Sequence, residues 1–597
     1  MKLGVKTMNE FTPDIKANIT DRKLIARIWQ YVKVKKKPYI IAFFMMLIAV
    51  GLDLLLPVLS GSVARELGSE NPSLVNLYTI VGVYAISLAF TYLIQYFQTM
   101  NLQKTGQSII YNVREDVFRH IEKLSIRQLN SMPVGKLVTR VTTDVNALNE
   151  LFTNIIINLI KNTLQIVGVF VVMSFISPKL SLYVGLITPV IFAVSYYFRK
   201  ISRKVFREVR HNVSNINAFL SENLSGMKIT QVFNQEEKKM LEFRERNNEL
   251  RRSQIKQIFV FGIFRPSIYV LYLITIMMIF YFGSKDIING GSTTYDVLIV
   301  FYQFVDRLFG PIQALAEEFN VLQSAFASSE RLFDTLDTPI EVDDEEDAIE
   351  LNDIKGEIEF KNVWFKYIDD EWVLKDVSFK INARETVAFV GATGSGKTTI
   401  LSLIVRNYDI DKGQILIDGI DIKRIKMDSL RQNIGQMLQD VFLFSGTINS
   451  NIKMREDSIT DEEVVEACKY VNADHFITQL PNKYEEVVRE RGNNFSSGQR
   501  QLLSFARTVV HKPKIMILDE ATANIDTETE VLIQDSLEKM MNIGTMIVVA
   551  HRLSTIQHAD NIIVLQKGVV IESGSHQELL KQKGHYHKLY QLQYQDK

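Results

Sequence analysis

Six long apolar runs, separated by charged stretches, fill the first 320 or so residues and constrain this chain more than any other feature. They fall at residues 38–61, 74–100, 152–176, 180–198, 258–282 and 295–315. Each is near the ~20 residues that an α-helix needs to cross a bilayer. Backbone polar groups in lipid must be paired within the segment, so the expected solution is six helical spans. Asp53 and Gln95 interrupt the first two runs, Arg265 the fifth, and Asp306, Arg307 and Pro311 the last. Such residues are compatible with spanning where they face a protein interior or a water-filled cavity.

The connections set the expected topology. Residues 103–148 and 200–256 are long, charged and rich in helix formers, and read as helical extensions of the spans. They and their edges carry Lys104, Arg114, Arg119, Lys123, Arg199, Lys200, Arg203 and Lys204. The other connections, 62–73, 177–179 and 284–294, are short. Basic residues near span ends favour the cytoplasmic side, which predicts a multi-pass cell-membrane protein with both termini and both long connections cytoplasmic. The first apolar run is too long and starts too late, after a basic stretch from Arg22 to Lys37, for a cleavable signal peptide.

At 597 residues the chain exceeds one compact core. Lys plus Arg and Asp plus Glu both number 68, a balance that argues against a nucleic-acid partner. The one cysteine, Cys468, rules out an internal disulfide and a zinc site on cysteine pairs, and reads as a small buried hydrophobe. The expected organisation is an N-terminal segment at 1–37, a six-helix membrane domain at 38–337, an acidic solvated linker at 338–355 and an α/β domain at 356–597. In that last domain short β-rich runs at 358–360, 386–390, 515–518, 546–549 and 562–565 alternate with helical stretches, which implies a largely parallel sheet.

The strand at 386–390 runs into Gly391-Ala-Thr-Gly-Ser-Gly-Lys-Thr398, a match to G-x-x-x-x-G-K-[ST]. Gly391, Gly394 and Gly396, with Ser395 among them, let backbone N–H groups curl around phosphate oxygens while the following helix points its positive end at them. Lys397 is expected to reach the β- and γ-phosphates and Thr398 to ligate Mg²⁺. An apolar strand at 515–518 ends in Asp519-Glu520. An aspartate there can hold the Mg²⁺ shell. The adjacent glutamate can orient and polarise an attacking water.

Between these lies Arg491-Gly-Asn-Asn-Phe-Ser-Ser-Gly-Gln-Arg500, which resembles the signature of the ABC ATPases, usually Leu-Ser-Gly-Gly-Gln. Ser496, Gly498 and Gln499 match, whereas Phe495 and Ser497 depart. The resemblance covers essentially the whole chain and is to the exporter type, six helices fused ahead of a P-loop NTPase domain. It implies ATP and Mg²⁺ as cofactors, Tyr367 stacking on adenine, Thr399 beside the phosphates and Gln439 touching the metal and sensing the membrane domain. It also implies that Glu490 contacts the membrane-domain loops, that Asp526 lines the dimer face and that His551 contacts the γ-phosphate. Two patches, 132–144 and 222–230, fit the exporter loops that dock short helices on an ATPase domain, with Gly135 and Gly226 expected at tight turns.

In this family each ATP is held between one chain's P-loop and a second chain's signature, so a second half-transporter is the implied partner. Here the P-loop half carries Lys397, Thr398, Gln439, Asp519, Glu520 and His551, while the signature half has Ser497 where glycine is usual. That asymmetry resembles the complete-glutamate chain of heterodimeric bacterial multidrug exporters. A cavity bounded by Phe261, Phe264, Phe301, Tyr302, Phe304 and Phe309 suits amphiphilic small molecules; lipid flipping or peptide export on the same fold stays open.

Overall fold

The computed structural model describes residues 21–595 except 352–353, 369–370, 455, 457, 520–526 and 550–556. The chain divides into two compact units, Met1–Glu122 with Val134–Thr338, and Lys123–Pro133 with Pro339–Lys597.

The first unit is helical. After α1 (Asp21–Val34) come α2 (Lys36–Leu67) and α3 (Leu74–Lys123). The short α4 (Ile126–Ser131) belongs to the second unit, and the chain returns with α5 (Val134–Ile176) and α6 (Pro178–Ser225). A one-and-a-half-turn α7 (Met227–Val232) then links α6 to α8 (Glu236–Ile288), and α9 (Tyr295–Asp337) closes the unit. α2, α3, α5, α6 and α8 are long and apolar enough to cross a membrane. The expected sixth span, α9, is not among these five in the described residues; it packs Phe301, Phe304, Val305 and Leu308, all fully buried, into the bundle core. Helices of 48–53 residues run about 70–80 Å, far beyond the ~30 Å hydrocarbon layer, so the charged connections are continuations of the spans as expected.

Close helix approach explains several small residues. A Cβ on Gly61 would lie 2.2 Å from Val300 Cγ2, and one on Gly283 2.2 Å from Leu298 Cδ2, so α9 seats against α2 and α8 where neither has a side chain. Two π-helical turns, Arg140–Asp144 and Leu151–Ile155, interrupt α5. The first turns the Asp144 carboxylate, only 4% exposed, onto both Arg140 (2.6 Å) and Arg331 (2.5 Å). A buried carboxylate needs such partners to remain charged.

In the second unit six strands form the sheet that carries the chemistry. They are β3 (Thr386–Val390), β6 (Ile434–Met437), β9 (Ile515–Asp519), β10 (Thr545–Val549), β11 (Asn561–Gln566) and β12 (Val569–Gly574), in the order β12-β11-β3-β10-β9-β6, with only β12 antiparallel. Successive side chains of a strand face opposite sides, which is why these strands read as unbroken apolar runs. Val387, Phe389, Ile517, Ile547 and Val549 enter one core, and Ala388, Met516, Leu518, Met546 and Val548 enter the other. A second, antiparallel sheet of β1 (Ile358–Lys366), β2 (Trp372–Ile381), β4 (Lys412–Ile417) and β5 (Ile420–Asp421) was not expected from the parallel pattern, nor was the small ribbon of β7 (Gly446–Thr447) and β8 (Val487–Val488). Cys468 is fully buried in the core, and burial pushes its thiol up to about 12.

Two sequence expectations differ. The acidic stretch after Thr338 is not a free linker: Ile349 N–H donates to Arg424 O (2.8 Å), Lys426 N–H donates back to Ile349 O (3.0 Å), and Val342 and Ile354 are buried. The Arg406 guanidinium, 2% exposed, donates to Asp343 O (2.9 Å) and lies 3.6 Å from the Asp344 carboxylate. The acids therefore line a strap whose alternate apolar residues are anchored. Gly135 lies inside a helix with open space at its Cβ position, and Gly226 has φ −92°, so neither supplies a left-handed turn.

Candidate functional site

The C-terminal ends of β3, β10, β9 and β6 share one edge of the parallel sheet, the usual position for a ligand in such a fold. From β3 the chain enters the glycine-rich loop and then α10 (Lys397–Ile404). Gly394 (φ +80°) and Gly396 (φ +106°) take left-handed conformations that a side chain would strain, and a Cβ on Gly396 would also lie 2.7 Å from Leu374 Cδ2. The Lys397 ammonium is buried and donates to Gly391 O (2.7 Å) and Ala392 O (3.2 Å), two carbonyls of its own loop. Burial draws Lys397 below the ordinary lysine value, against the opposing charge of Asp519. The Ser395 hydroxyl is buried with no hydrogen-bond partner among the described residues. A buried cation, an orphaned hydroxyl and the N-terminus of α10 converge on a cradle that fits an anion with several oxygens.

Thr398 is exposed at this cradle, while Thr399 is buried and accepts the Tyr367 O–H at 3.1 Å. Tyr367 packs edge-on against Phe365 and Tyr408, leaving 38% of its surface open beside the loop. Asp519 ends β9, and Met437 of β6 pairs with Leu518, which puts exposed Gln439 beside the same edge. No cluster of three or more His, Cys, Asp or Glu side chains suited to a metal forms among the described residues. One carboxylate with a hydroxyl and an amide nevertheless fits Mg²⁺, which keeps waters and takes phosphate oxygens for the rest of its shell. Glu520, Asp526 and His551 lie outside the described residues.

The signature stretch opens α11 (Ser497–Val510). Ser496 Oγ accepts from Gln499 N–H (3.1 Å), and Ser496 N–H donates to Gln499 Oε1 (3.0 Å), a capping box that satisfies two backbone donors and fixes the helix start. Gly498 is buried, and Phe495 sits 6% exposed in the core, so this departure from leucine is a change of packing partner. Among the described residues the side-chain hydrogen bonds of Ser496 and Gln499 stay within their own turn.

Sequence reading missed the residues that join α4 to the nucleotide cradle. The short helix of the first long loop is α4, just upstream of the patch 132–144 that fits the exporter loop. Gln128 is buried and its Nε2 donates to Pro339 O (2.6 Å), while Ser125 Oγ donates to Glu341 (3.1 Å). Arg127 donates to Lys366 O (3.3 Å) and lies 5.8 Å from the Tyr408 ring centroid, one residue and one ring away from Tyr367. A single arginine in a charged loop carries no motif that would announce this. Exposed Glu490 makes no ion pair among the described residues.

In the membrane unit a cavity of about 1140 Å³ is lined by Phe261, Phe264, Tyr269, Tyr272, Tyr302, Phe309 and Asp306, among others. Phe301 and Phe304 are excluded from it, because both are fully buried within the bundle. Arg307 pairs instead with Asp53 of α2.

Two family models match the chain: the ABC transporter transmembrane region over residues 39–312 and the ABC transporter family over residues 374–523. This chain is an ABC exporter half-transporter. Among similar proteins, the probable multidrug resistance ABC transporter ATP-binding/permease protein YheH of Bacillus subtilis (strain 168) is 37% identical, over 87% of this exporter chain and 78% of its own. An ATP-dependent lipid A-core flippase of Desulfotalea psychrophila is 33% identical over 96% of the exporter chain and 100% of its own. A solved structure of a bacterial Atm1-family ABC exporter with ATP bound superposes with TM-score 0.78 at 27% identity, covering 94% of this chain and 99% of that one. The half-transporter is thus an ATPase whose hydrolysis drives export across a membrane.

Proposed function

We propose that this half-transporter exports amphiphilic small molecules of the multidrug type, paired with a different half-transporter chain, with its ATPase domain and both termini cytoplasmic. The observation that carries the substrate class is the aromatic cavity between α8 and α9. Its rings offer apolar and stacking contact to flat or bulky molecules, and Asp306, exposed in its wall without an ion pair among the described residues, offers one charge.

At the ATP site, Lys397 and the N–H groups around Gly391, Gly394, Ser395, Gly396 and Thr399 hold the phosphates, and Tyr367 stacks on adenine. Thr398, Gln439 and Asp519 hold Mg²⁺, which neutralises charge on the phosphate oxygens when bound. Glu520 orients and deprotonates the water, His551 contacts the terminal phosphate, and Asp526 lines the dimer face. Ser496, Gly498 and Gln499 complete the second chain's site. Ser497 adds a side chain where close backbone approach is needed, which favours a partner whose own P-loop site tolerates slow hydrolysis.

Glu520→Gln, assayed in liposomes with its partner and with amphiphilic dyes, should keep ATP binding and lose about 10²–10⁴-fold in turnover. Full dye-stimulated ATPase from this chain alone would overturn the heterodimer. Normal ATPase that no dye perturbs would overturn the drug reading and move the substrate to lipids or peptides.

A further inference from the structure

A second cavity of about 460 Å³ lies in the membrane unit, away from the aromatic one, and its size is in the range of small-molecule sites. Four helices form it. Trp29 and Val32 of α1, Tyr39 and Phe43 of α2, Phe152 and Ile156 of α5, and the α3 face around Leu102 make its wall almost wholly apolar. Helix α1 is amphipathic, and its inner face (Leu24, Ile28, Val32) is buried. Arg27 clamps it through an ion pair with Asp337 and a stack over Phe333 at 5.0 Å. Its outer face leaves Trp29 60% exposed and Ile25 51% exposed, the pattern of a helix lying along the membrane surface.

Besides the buried Gln98 of α3, two polar features break the apolar wall, and both sit at the start of α2. Lys36 is the charged residue of the lining, exposed and without an ion pair among the described residues. Three residues on, the Tyr39 hydroxyl is buried with no hydrogen-bond partner among the described residues. A buried hydroxyl left unpaired is costly, and its residue is part of the cavity lining. Lys33, Lys35 and Lys37 are exposed around the same point. A ligand that satisfies all of this has an anionic, hydrogen-bond-accepting head at Lys36 and Tyr39 and an acyl chain between α1, α2 and α5.

We propose that this cavity is a resident site for an anionic phospholipid, held by Lys36 and the Tyr39 hydroxyl, with its chain under α1. The bilayer around these helices supplies such a lipid directly. The lipid here is a bound component and not cargo, so the site stands apart from the substrate reading.

Trp29 is a built-in reporter. The full chain, in vesicles containing phospholipid with brominated acyl chains, is compared with Trp29→Phe, and the difference isolates Trp29 quenching from that of the two ATPase-domain tryptophans. Brominated phosphatidylglycerol is expected to outcompete brominated phosphatidylcholine by roughly fivefold, and Lys36→Gln to bring that ratio close to one. Tyr39→Phe should weaken quenching by both lipids, since both have phosphate oxygens. Lys33→Gln, off the cavity lining, should leave the ratio nearly unchanged. Equal quenching by the two lipids in the wild-type chain would overturn the site. So would an equal loss in Lys33→Gln and Lys36→Gln, because the attraction would then be diffuse surface charge. Correct folding of each variant is read from its thermal unfolding midpoint, which should match that of the wild-type chain in lipid-free detergent.

Discussion

The tips of the two long loops between spans have the same construction and opposite fates. Both are single short helices at the end of spans some 70 Å long, α4 (Ile126–Ser131) in the first loop and α7 (Met227–Val232) in the second. The first is anchored in its own ATPase unit by Gln128, Ser125 and Arg127. The second is bare: Leu224, Ile229, Val232 and Phe233 are each 65–69% exposed, and α7 has no buried residue. Isolated exposed apolar residues are ordinary, but four within ten residues of one loop tip, two of them on α7, mark an interaction surface. On the proposed pairing of two half-transporters, the first tip is seated within this chain and the second is the surface offered to the other chain.

The largest effect should come from charging the bare tip. Ile229→Asp with Phe233→Asp would bury unpaired carboxylates in the assembled transporter, so substrate-stimulated ATPase and transport should fall more than tenfold. The melting midpoint of the isolated chain should barely change, because both residues are already in water. A large drop in that midpoint would break the comparison. At the anchored tip the pattern reverses. Gln128→Ala leaves Pro339 O unpaired and should cost about 1–3 kcal/mol of stability, read as a lower unfolding midpoint.

A smaller effect sharpens the link from the first tip to the nucleotide. Arg127 touches the carbonyl before Tyr367 and the ring that packs against it. Arg127→Ala should raise the KM for ATP two- to fivefold, about the 0.5–1 kcal/mol of an exposed cation–π contact, with kcat unchanged. A change in kcat alone would detach Arg127 from adenine binding.

How much of this was legible in the sequence follows from how local each signal is. The P-loop is legible because strand, glycine turn and helix start are consecutive, and the structure adds only the lysine turned onto Gly391 O and the orphaned Ser395 hydroxyl. The spans are legible because their length is set by the bilayer. The 3.6-residue period of α9 separates Phe301, Phe304 and Leu308 from Tyr302, Asp306 and Gly310, but it does not say which face meets other helices; the structure buries the first set. Composition misled at 338–355, where frequent acids outweighed Val342, Ile349 and Ile354, the residues that anchor the strap. The anchoring of α4 depends on pairings more than 200 residues apart, such as Gln128 with Pro339, which no local pattern carries.

The central claim is that this chain is half of a transporter whose second loop tip seats in another chain, and cysteine accessibility tests it most directly. The single native cysteine is fully buried with its thiol raised to about 12, so it should stay silent toward maleimide in the folded protein. A cysteine placed by Phe233→Cys should label rapidly in the isolated chain and at least about tenfold more slowly once the second half-transporter is bound. Equal labelling rates in the isolated chain and the assembled transporter would contradict the account.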